Sequence, residues 1–160
     1  MRILIADDHA IVRQGLRSLI ENCAGMQVIG EAQNGQEAVR LAQELFPDVV
    51  IMDVTMPELS GVEATQRIRR QNSAVKVIIL SMHPDQHIVK ESLKAGAQGY
   101  VLKSCVFDEL RRALEITAAG GHYLSPQITD VIVEDCARDF TEGTASSPPS
   151  SGGTSGQTDC

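Results

Sequence analysis

Five short apolar runs pace the first hundred residues, each of four to six positions. They lie at about residues 2–6, 27–32, 49–53, 76–81 and 99–102, and read Ile3-Leu4-Ile5-Ala6, Val49-Val50-Ile51-Met52 or Val77-Ile78-Ile79-Leu80 at their clearest. Near-continuous Val, Ile and Leu predicts strands covered on both faces. Segments of helical periodicity alternate with them. Helix one carries Ile11, Val12, Leu16, Leu19 and Ile20, and helix two carries Ala38, Val39, Leu41, Ala42 and Leu45. Ser60 with Glu63, and Asn34 with Glu37, read as capping boxes for helices three and two. Helix four is expected over about 85–95, ending at Gly96, and helix five over about 106–119, ending at Gly120-Gly121. Such alternation predicts right-handed βαβ units, hence an α/β fold with a parallel sheet of five strands and five helices.

The character changes after Leu124. Ile128, Val131 and Ile132 suggest one further helical segment within residues 123–140. From Thr141 to Cys160, 15 of 20 residues are Gly, Ser, Thr or Pro. No core can form from that composition, so 141–160 is expected to be a flexible linker or tail.

Chemistry concentrates where the strands end. Asp7 and Asp8 close the first run, Asp53 the third, Ser81 the fourth and Lys103 the fifth. In open α/β sheets ligands bind outside the carboxyl ends of the strands. Three carboxylates gathered there repel one another at a partly desolvated rim, which is costly without a cation. Hard oxygen donors suit Mg²⁺, which retains waters and takes a few carboxylates plus phosphate oxygens. The set reads as a phosphoryl-transfer site.

Asp-Asp, Asp, Ser and Lys at the ends of strands one, three, four and five resemble the receiver domain of bacterial response regulators. Asp53-Val54-Thr55-Met56-Pro57-Glu58-Leu59-Ser60-Gly61 is the most specific stretch. Residues 2–9 (Arg-Ile-Leu-Ile-Ala-Asp-Asp-His) and 96–103 (Gly-Ala-Gln-Gly-Tyr-Val-Leu-Lys) resemble the NarL/FixJ (LuxR-type) group within that family. The likeness covers about residues 1–122. It implies a flavodoxin-like doubly wound sheet of order 2-1-3-4-5. It also implies that Asp53 is phosphorylated by a sensor histidine kinase through an acyl phosphate, a known covalent strategy on Asp. Asp7, Asp8, Asp53 and the Thr55 backbone carbonyl would hold Mg²⁺. Lys103 would pair with Asp53 and then with a phosphoryl oxygen. Ser81 and Tyr100 would form the coupled switch, although Tyr100 also reads as a half-exposed strand residue. Thr55 and His83 would flank the site and tune hydrolysis. Asp8 has an alternative role, capping helix one. Many receivers place a cis-prolyl bond after the Lys; here Ser104 follows, and a cis non-prolyl bond costs ~3 kcal/mol.

The 160 residues carry 14 basic and 21 acidic side chains, a net charge of −7 and a pI near 5.0. This balance argues against a nucleic-acid surface. The NarL/FixJ group usually continues into a helix-turn-helix domain, and nothing here has its two patterned helices and basic face. DNA contact is therefore expected only through such a missing domain, with phosphorylation favouring homodimers through helices one, four and five. No run approaches the ~20 apolar residues of a membrane span, and no signal peptide precedes strand one, so a cytoplasmic location is expected. Cys23, Cys105, Cys136 and Cys160 lack CxxC spacing, and reduced thiols are the plainer reading. His9, His87 and His122 can accept phosphate in principle, but solvated or capping histidines are commoner.

The expectation is a phosphorylated switch, not an enzyme with an external product. One rival is a haloacid-dehalogenase-like aspartyl phosphatase; its Asp-x-Asp is matched only by Asp53-Val54-Thr55. A phosphorylation-independent interaction module is the other, disfavoured by the complete acidic set. An FMN-binding flavodoxin is ruled out because acidic residues, not a phosphate-binding Ser/Thr/Gly loop, follow Ile5.

Overall fold

A computed structural model describes residues 1–144. Strands β1 (Arg2–Ala6), β2 (Gln27–Ala32), β3 (Val49–Asp53), β4 (Lys76–Ser81) and β5 (Gly99–Leu102) stand on the five apolar runs. Helices α1 (Ala10–Glu21), α2 (Gly35–Leu45), α3 (Gly61–Gln71), α4 (Gln86–Lys94) and α5 (Val106–Ala118) alternate with them. All strand pairs are parallel. Successive strand residues face opposite sides of a sheet, so two cores form. Ile3, Ile5, Ile51, Ile78 and Leu80 pack with Leu16 of α1 and Leu110 of α5. Leu4, Val50, Met52, Ile79 and Tyr100 pack with Ala38, Ile68 and Val89 of the helices on the other face.

The capping expectations are met in part. Ser60 Oγ and Asn34 Oδ1 accept the backbone N–H groups of Glu63 and Glu37. The return bonds differ, however. Glu37 takes the N–H of Gln33 and Glu63 takes the Ser60 hydroxyl, so neither box closes on the cap residue's own backbone N–H.

A sixth strand extends the expected five. After α5, Gly120 adopts φ 97° and turns the chain back, a left-handed conformation that glycine enters without steric cost. β6 (Tyr123–Leu124) then pairs with β5, giving the order β2-β1-β3-β4-β5-β6. The sheet thus runs two residues past the boundary expected at 122. Helix α6 follows at Pro126–Thr144, with Pro at its first position where a missing N–H is harmless. The helix runs through Gly143 and takes in residues 141–144 of the segment expected as linker. Residues 145–160 of that segment lie outside the described residues. Ile128 and Ile132 of α6 pack in the core that includes Val89, with Ile88 and Leu93 of α4 beside them. Among the described residues no helix is long and apolar enough to cross a membrane.

Candidate functional site

Parallel pairing of β1 with β3, in register at Ala6 and Met52, brings the next residues, Asp7 and Asp53, side by side at the sheet's carboxyl edge. Asp7 is fully buried and Asp53 is 3% exposed. Lys103, at the end of β5, reaches across to both. Its Nζ donates to Asp53 Oδ2 at 3.0 Å and stands 3.0 Å from Asp7 Oδ2. The second contact lacks hydrogen-bond alignment, leaving Asp7 Oδ2 a buried oxygen with no donor aimed at it. Asp53 Oδ1 accepts the N–H of Thr55 at 3.2 Å.

The loop after Asp53 is shaped by one close approach. A Cβ on Gly61 would lie 2.2 Å from the Asp53 carbonyl oxygen, so only glycine lets α3 begin against the strand end. The Gly61 N–H bonds the Val54 carbonyl at 3.0 Å, fastening the turn that follows Asp53.

Electrostatics match this crowding. Burial, and then the neighbouring Asp7, push the Asp53 carboxyl above its ordinary range; Lys103 and the Thr55 N–H oppose them without prevailing. Burial works against the Lys103 charge, but the hydrogen bond to Asp53 and the adjacent Asp7 carboxylate outweigh it and raise the ammonium above an ordinary lysine.

His9 belongs to this cluster, although sequence reasoning set it aside. Its Nδ1 lies 3.2 Å from Asp7 Oδ1 and 3.1 Å from Asp8 Oδ1. Ligand atoms of Asp7, Asp8, His9 and Asp53 all fall within 4.8 Å of one another. A lone His carries no signal of its own, and only its adjacency to the Asp7-Asp8 pair in the chain could have flagged it. Asp8 does not cap α1: the N-cap is His9, without a side-chain cap bond. Instead Asp7 Oδ1 accepts the His9 N–H at 2.8 Å.

These donors fit a divalent cation. Formally, three carboxylates against one ammonium leave two negative charges, and Asp7 Oδ2, although 3.0 Å from Lys103 Nζ, accepts no aligned hydrogen bond. Oxygen donors of this kind suit Mg²⁺.

An open pocket of ≈ 550 Å³ lies over the cluster, and Asp8, Asp53, Thr55, Ser81, His83 and Lys103 all line it. Ser81 Oγ donates to the His83 carbonyl at 2.8 Å. Tyr100, expected as switch partner or half-exposed residue, is fully buried, and its hydroxyl has no hydrogen-bond partner. Burial therefore raises its pKa. The reason for its burial is β6 and α6, with Leu124 and Ile128 packed in the same core. His87 and His122 do not join the cluster; His122 lines a separate groove beside β6. The peptide chain has no cis bond, at Lys103-Ser104 or elsewhere among the described residues.

The family profile described as "response regulator receiver domain" matches residues 3–115. The transcriptional regulatory protein DegU of Brevibacillus brevis is 36% identical over 138 residues, covering 86% of this chain and 58% of that protein. The chain thus spans less than two thirds of the length of this relative. A crystal structure of a LuxR-family two-component response regulator from Aurantimonas sp. SI85-9A1 superposes with a TM-score of 0.82 at 43% identity, covering 85% of this chain and 97% of that one. The isolated REC domain of RcsB from Salmonella enterica serovar Typhimurium, solved with the phosphomimetic BeF3-, gives a TM-score of 0.76 at 27% identity, covering 82% and 97%.

Proposed function

Because the chain belongs to the response regulator receiver family, we propose that it accepts a phosphoryl group on Asp53 from a sensor histidine kinase, with Mg²⁺. The observation that carries the reading is the pair of buried carboxylates, Asp7 and Asp53, sharing the single ammonium of Lys103 at 3.0 Å.

Asp7, Asp8, Asp53 and the Thr55 carbonyl would hold the ion, with His9 beside them. When bound, Mg²⁺ neutralises charge on the phosphoryl oxygens. An Asp53 carboxylate oxygen attacks phosphorus, the bond to the donor's imidazole nitrogen breaks, and that nitrogen keeps the electron pair and takes up a proton. Lys103, already donating to Asp53, transfers its hydrogen bonds to a phosphoryl oxygen, where charge has increased. Phosphorylation adds about −1.5 to −2 charge and three acceptor oxygens. Ser81 then leaves the His83 carbonyl for the phosphoryl group, freeing the loop that leads to α4. Thr55 and His83, at the pocket wall, tune access of water to the acyl phosphate.

The product stays on the chain, so the protein acts as a phosphorylated switch and not as a turnover enzyme. It works in the cytoplasm, and phosphorylation favours a homodimer that serves transcriptional control through a separate DNA-binding domain. The dimer surface is narrower than α1, α4 and α5 together, since α6 covers part of α4. Residues 1–160 do not bind duplex DNA themselves, with 14 basic against 21 acidic side chains. The membership also displaces the aspartyl phosphatase alternative, whose second Asp is Thr55 here.

Incubation with acetyl phosphate and Mg²⁺, read by intact-mass spectrometry, tests the reading. One added phosphoryl group is expected on the wild type and none on Asp53→Asn or on the wild type with EDTA. Equal labelling of Asp53→Asn would overturn Asp53 as the acceptor.

A further inference from the structure

β2 contributes no residue to the pocket wall, yet its end fixes the backbone of Asp7 from two directions. The Asp7 N–H donates to the Ala32 carbonyl at 3.1 Å. The Asp7 carbonyl accepts from Arg13 Nη1 at 2.6 Å, and the same guanidinium donates through Nε to Glu31 Oε1 at 3.0 Å. Glu31 also accepts from Arg17 Nε at 2.6 Å. Arg13 is 12% exposed, Glu31 29%.

From this geometry we infer that Arg13 and Glu31 are positioning residues that set the affinity of the acidic cluster for its divalent cation. The inference rests on the metal-binding reading above. Two physical steps support it. First, the peptide joining Asp7 to Asp8 is planar and trans, with carbonyl and N–H opposed. Holding the Asp7 carbonyl on Arg13 therefore fixes the plane from which the Asp8 side chain departs. It also keeps the negative end of that carbonyl dipole out of a crevice already rich in carboxylates.

Second, a guanidinium bonded to the Asp7 carbonyl has a competing choice among the neighbouring carboxylates. Bidentate pairing with a carboxylate is the stronger interaction for Arg, and it would neutralise the cluster from within. Glu31 removes that choice by taking the Arg13 charge itself. Its own carboxyl is held low: burial opposes ionisation, but hydrogen bonds from Arg17 and Arg13 outweigh it. Glu31 thus remains an anion that restrains the guanidinium, and Arg17 completes the restraint from one turn further along α1. Outer residues that orient ligands in this way typically change metal affinity by about 10–100-fold when mutated.

Isothermal titration of the full chain with MgCl₂ tests the proposal, with denaturant unfolding of each variant as control and the Asp8 amide followed by NMR without metal. Glu31→Gln should weaken Mg²⁺ binding about 10-fold and displace the metal-free Asp8 amide resonance, at unchanged cooperativity of unfolding. Arg13→Gln should weaken it similarly, and Arg13→Lys should recover part of the loss, since an ammonium can still reach one of the two acceptors. In the double variant Glu31→Gln/Arg13→Gln the Glu31 effect should largely vanish, because the guanidinium beside Asp7 is gone and Arg17 is still held by Glu21 at 3.0 Å. A merely structural pair would give additive losses of stability and leave Mg²⁺ affinity unmoved. Wild-type binding matched by Glu31→Gln and Arg13→Gln would overturn the clamp alone. Failure of the wild type to bind Mg²⁺ would overturn the metal reading and the clamp with it.

Discussion

At the ends of β1 and β3, Asp7 and Asp53 are almost fully buried and share one ammonium, with one carboxylate oxygen left without a donor. Some distance along the same sheet edge, at the seam where β6 meets α5 and α6, the buried Ser125 and its partners are fully occupied. Ser125 Oγ accepts the Leu102 N–H at 3.1 Å and donates to Glu109 at 2.8 Å, and Glu109 also takes the Tyr123 hydroxyl at 2.9 Å. Ser125 N–H bonds the Tyr100 carbonyl at 3.0 Å, continuing the ladder where β6 becomes α6. This Ser125 network is complete without any ligand. The crevice is not, and in a low-dielectric site such a deficit is expensive unless a ligand fills it. Polar satisfaction therefore separates a structural junction from a binding site, although both lie beside the end of β5. Tyr100 stands at the border, packed by the seam yet with an unpartnered hydroxyl of its own.

The largest expected effect comes from breaking the crevice. Lys103→Ala leaves Asp7 and Asp53 buried without a positive partner, and removing one member of a buried pair costs about 3–5 kcal/mol. Metal-free protein should lose stability on that scale in denaturant unfolding. Mg²⁺ should restore much of it, and Mg²⁺ affinity should hold or rise, because a competing cation has gone. The conformational response to phosphorylation should nevertheless be impaired. Loss of Mg²⁺ binding in this variant would mean that Lys103 shapes the site instead of balancing it.

The seam should answer differently. Ser125→Ala leaves the Leu102 N–H buried and unsatisfied, at a cost of about 1–3 kcal/mol. Unlike the crevice variant, this loss should be the same with and without Mg²⁺. Chemical denaturation in both conditions distinguishes the two regions, and a loss that Mg²⁺ rescues would couple them more tightly than the contacts suggest.

The contrast also shows what the sequence made legible. Asp7, Asp53 and Lys103 close apolar runs, so identifying the strands identified the rim. The five strands and two of the cap residues, Asn34 and Ser60, rest on local patterns that tertiary packing did not override. β6 was out of reach because two residues, Tyr123 and Leu124, are too short to show a strand's alternation. The half-exposed alternative for Tyr100 failed because its burial comes from tertiary packing with Leu124 and Ile128. His9 contacts its chain neighbours Asp7 and Asp8, while the Arg13–Glu31 contact joins residues 18 apart, and hydrophobic periodicity carries no information about either. The expectation that Asp8 caps α1 failed because the helix begins one residue later, with His9 at its N-cap.

A smaller effect should appear in pH dependence. The Asp53 carboxyl is raised by burial and by Asp7, so the folded state holds a proton that the unfolded chain has released. Between the unfolded value, near 4, and the raised folded value, metal-free stability should fall as pH rises. Mg²⁺ binds the ionised form, so its stabilisation should be slight at the low end of that window and complete above it. Thermal unfolding across mildly acidic to neutral pH, with and without Mg²⁺, reads this directly. A Mg²⁺ effect independent of pH would place the ion away from Asp53.

The smallest effect is expected at the border itself. Tyr100→Phe removes a hydroxyl that is buried, has no protein partner and is raised in pKa by burial. An unsatisfied buried polar group is a liability, whereas its apolar replacement of the same shape is nearly neutral or stabilising. Stability should therefore change by less than about 1 kcal/mol, in the favourable direction if at all. The ring, which fills the core beside Leu124 and Ile128, is retained. Tyr100→Ala, by contrast, should cost several kcal/mol through the cavity it leaves, as large aromatic truncations do, at about 3–5 kcal/mol. A clear loss in Tyr100→Phe would show that the hydroxyl is bonded in solution, with Ser81 as the nearest candidate. In that event the border residue would belong to the crevice side of the comparison, and the switch would start from a linked Ser81–Tyr100 pair instead of from two independent groups.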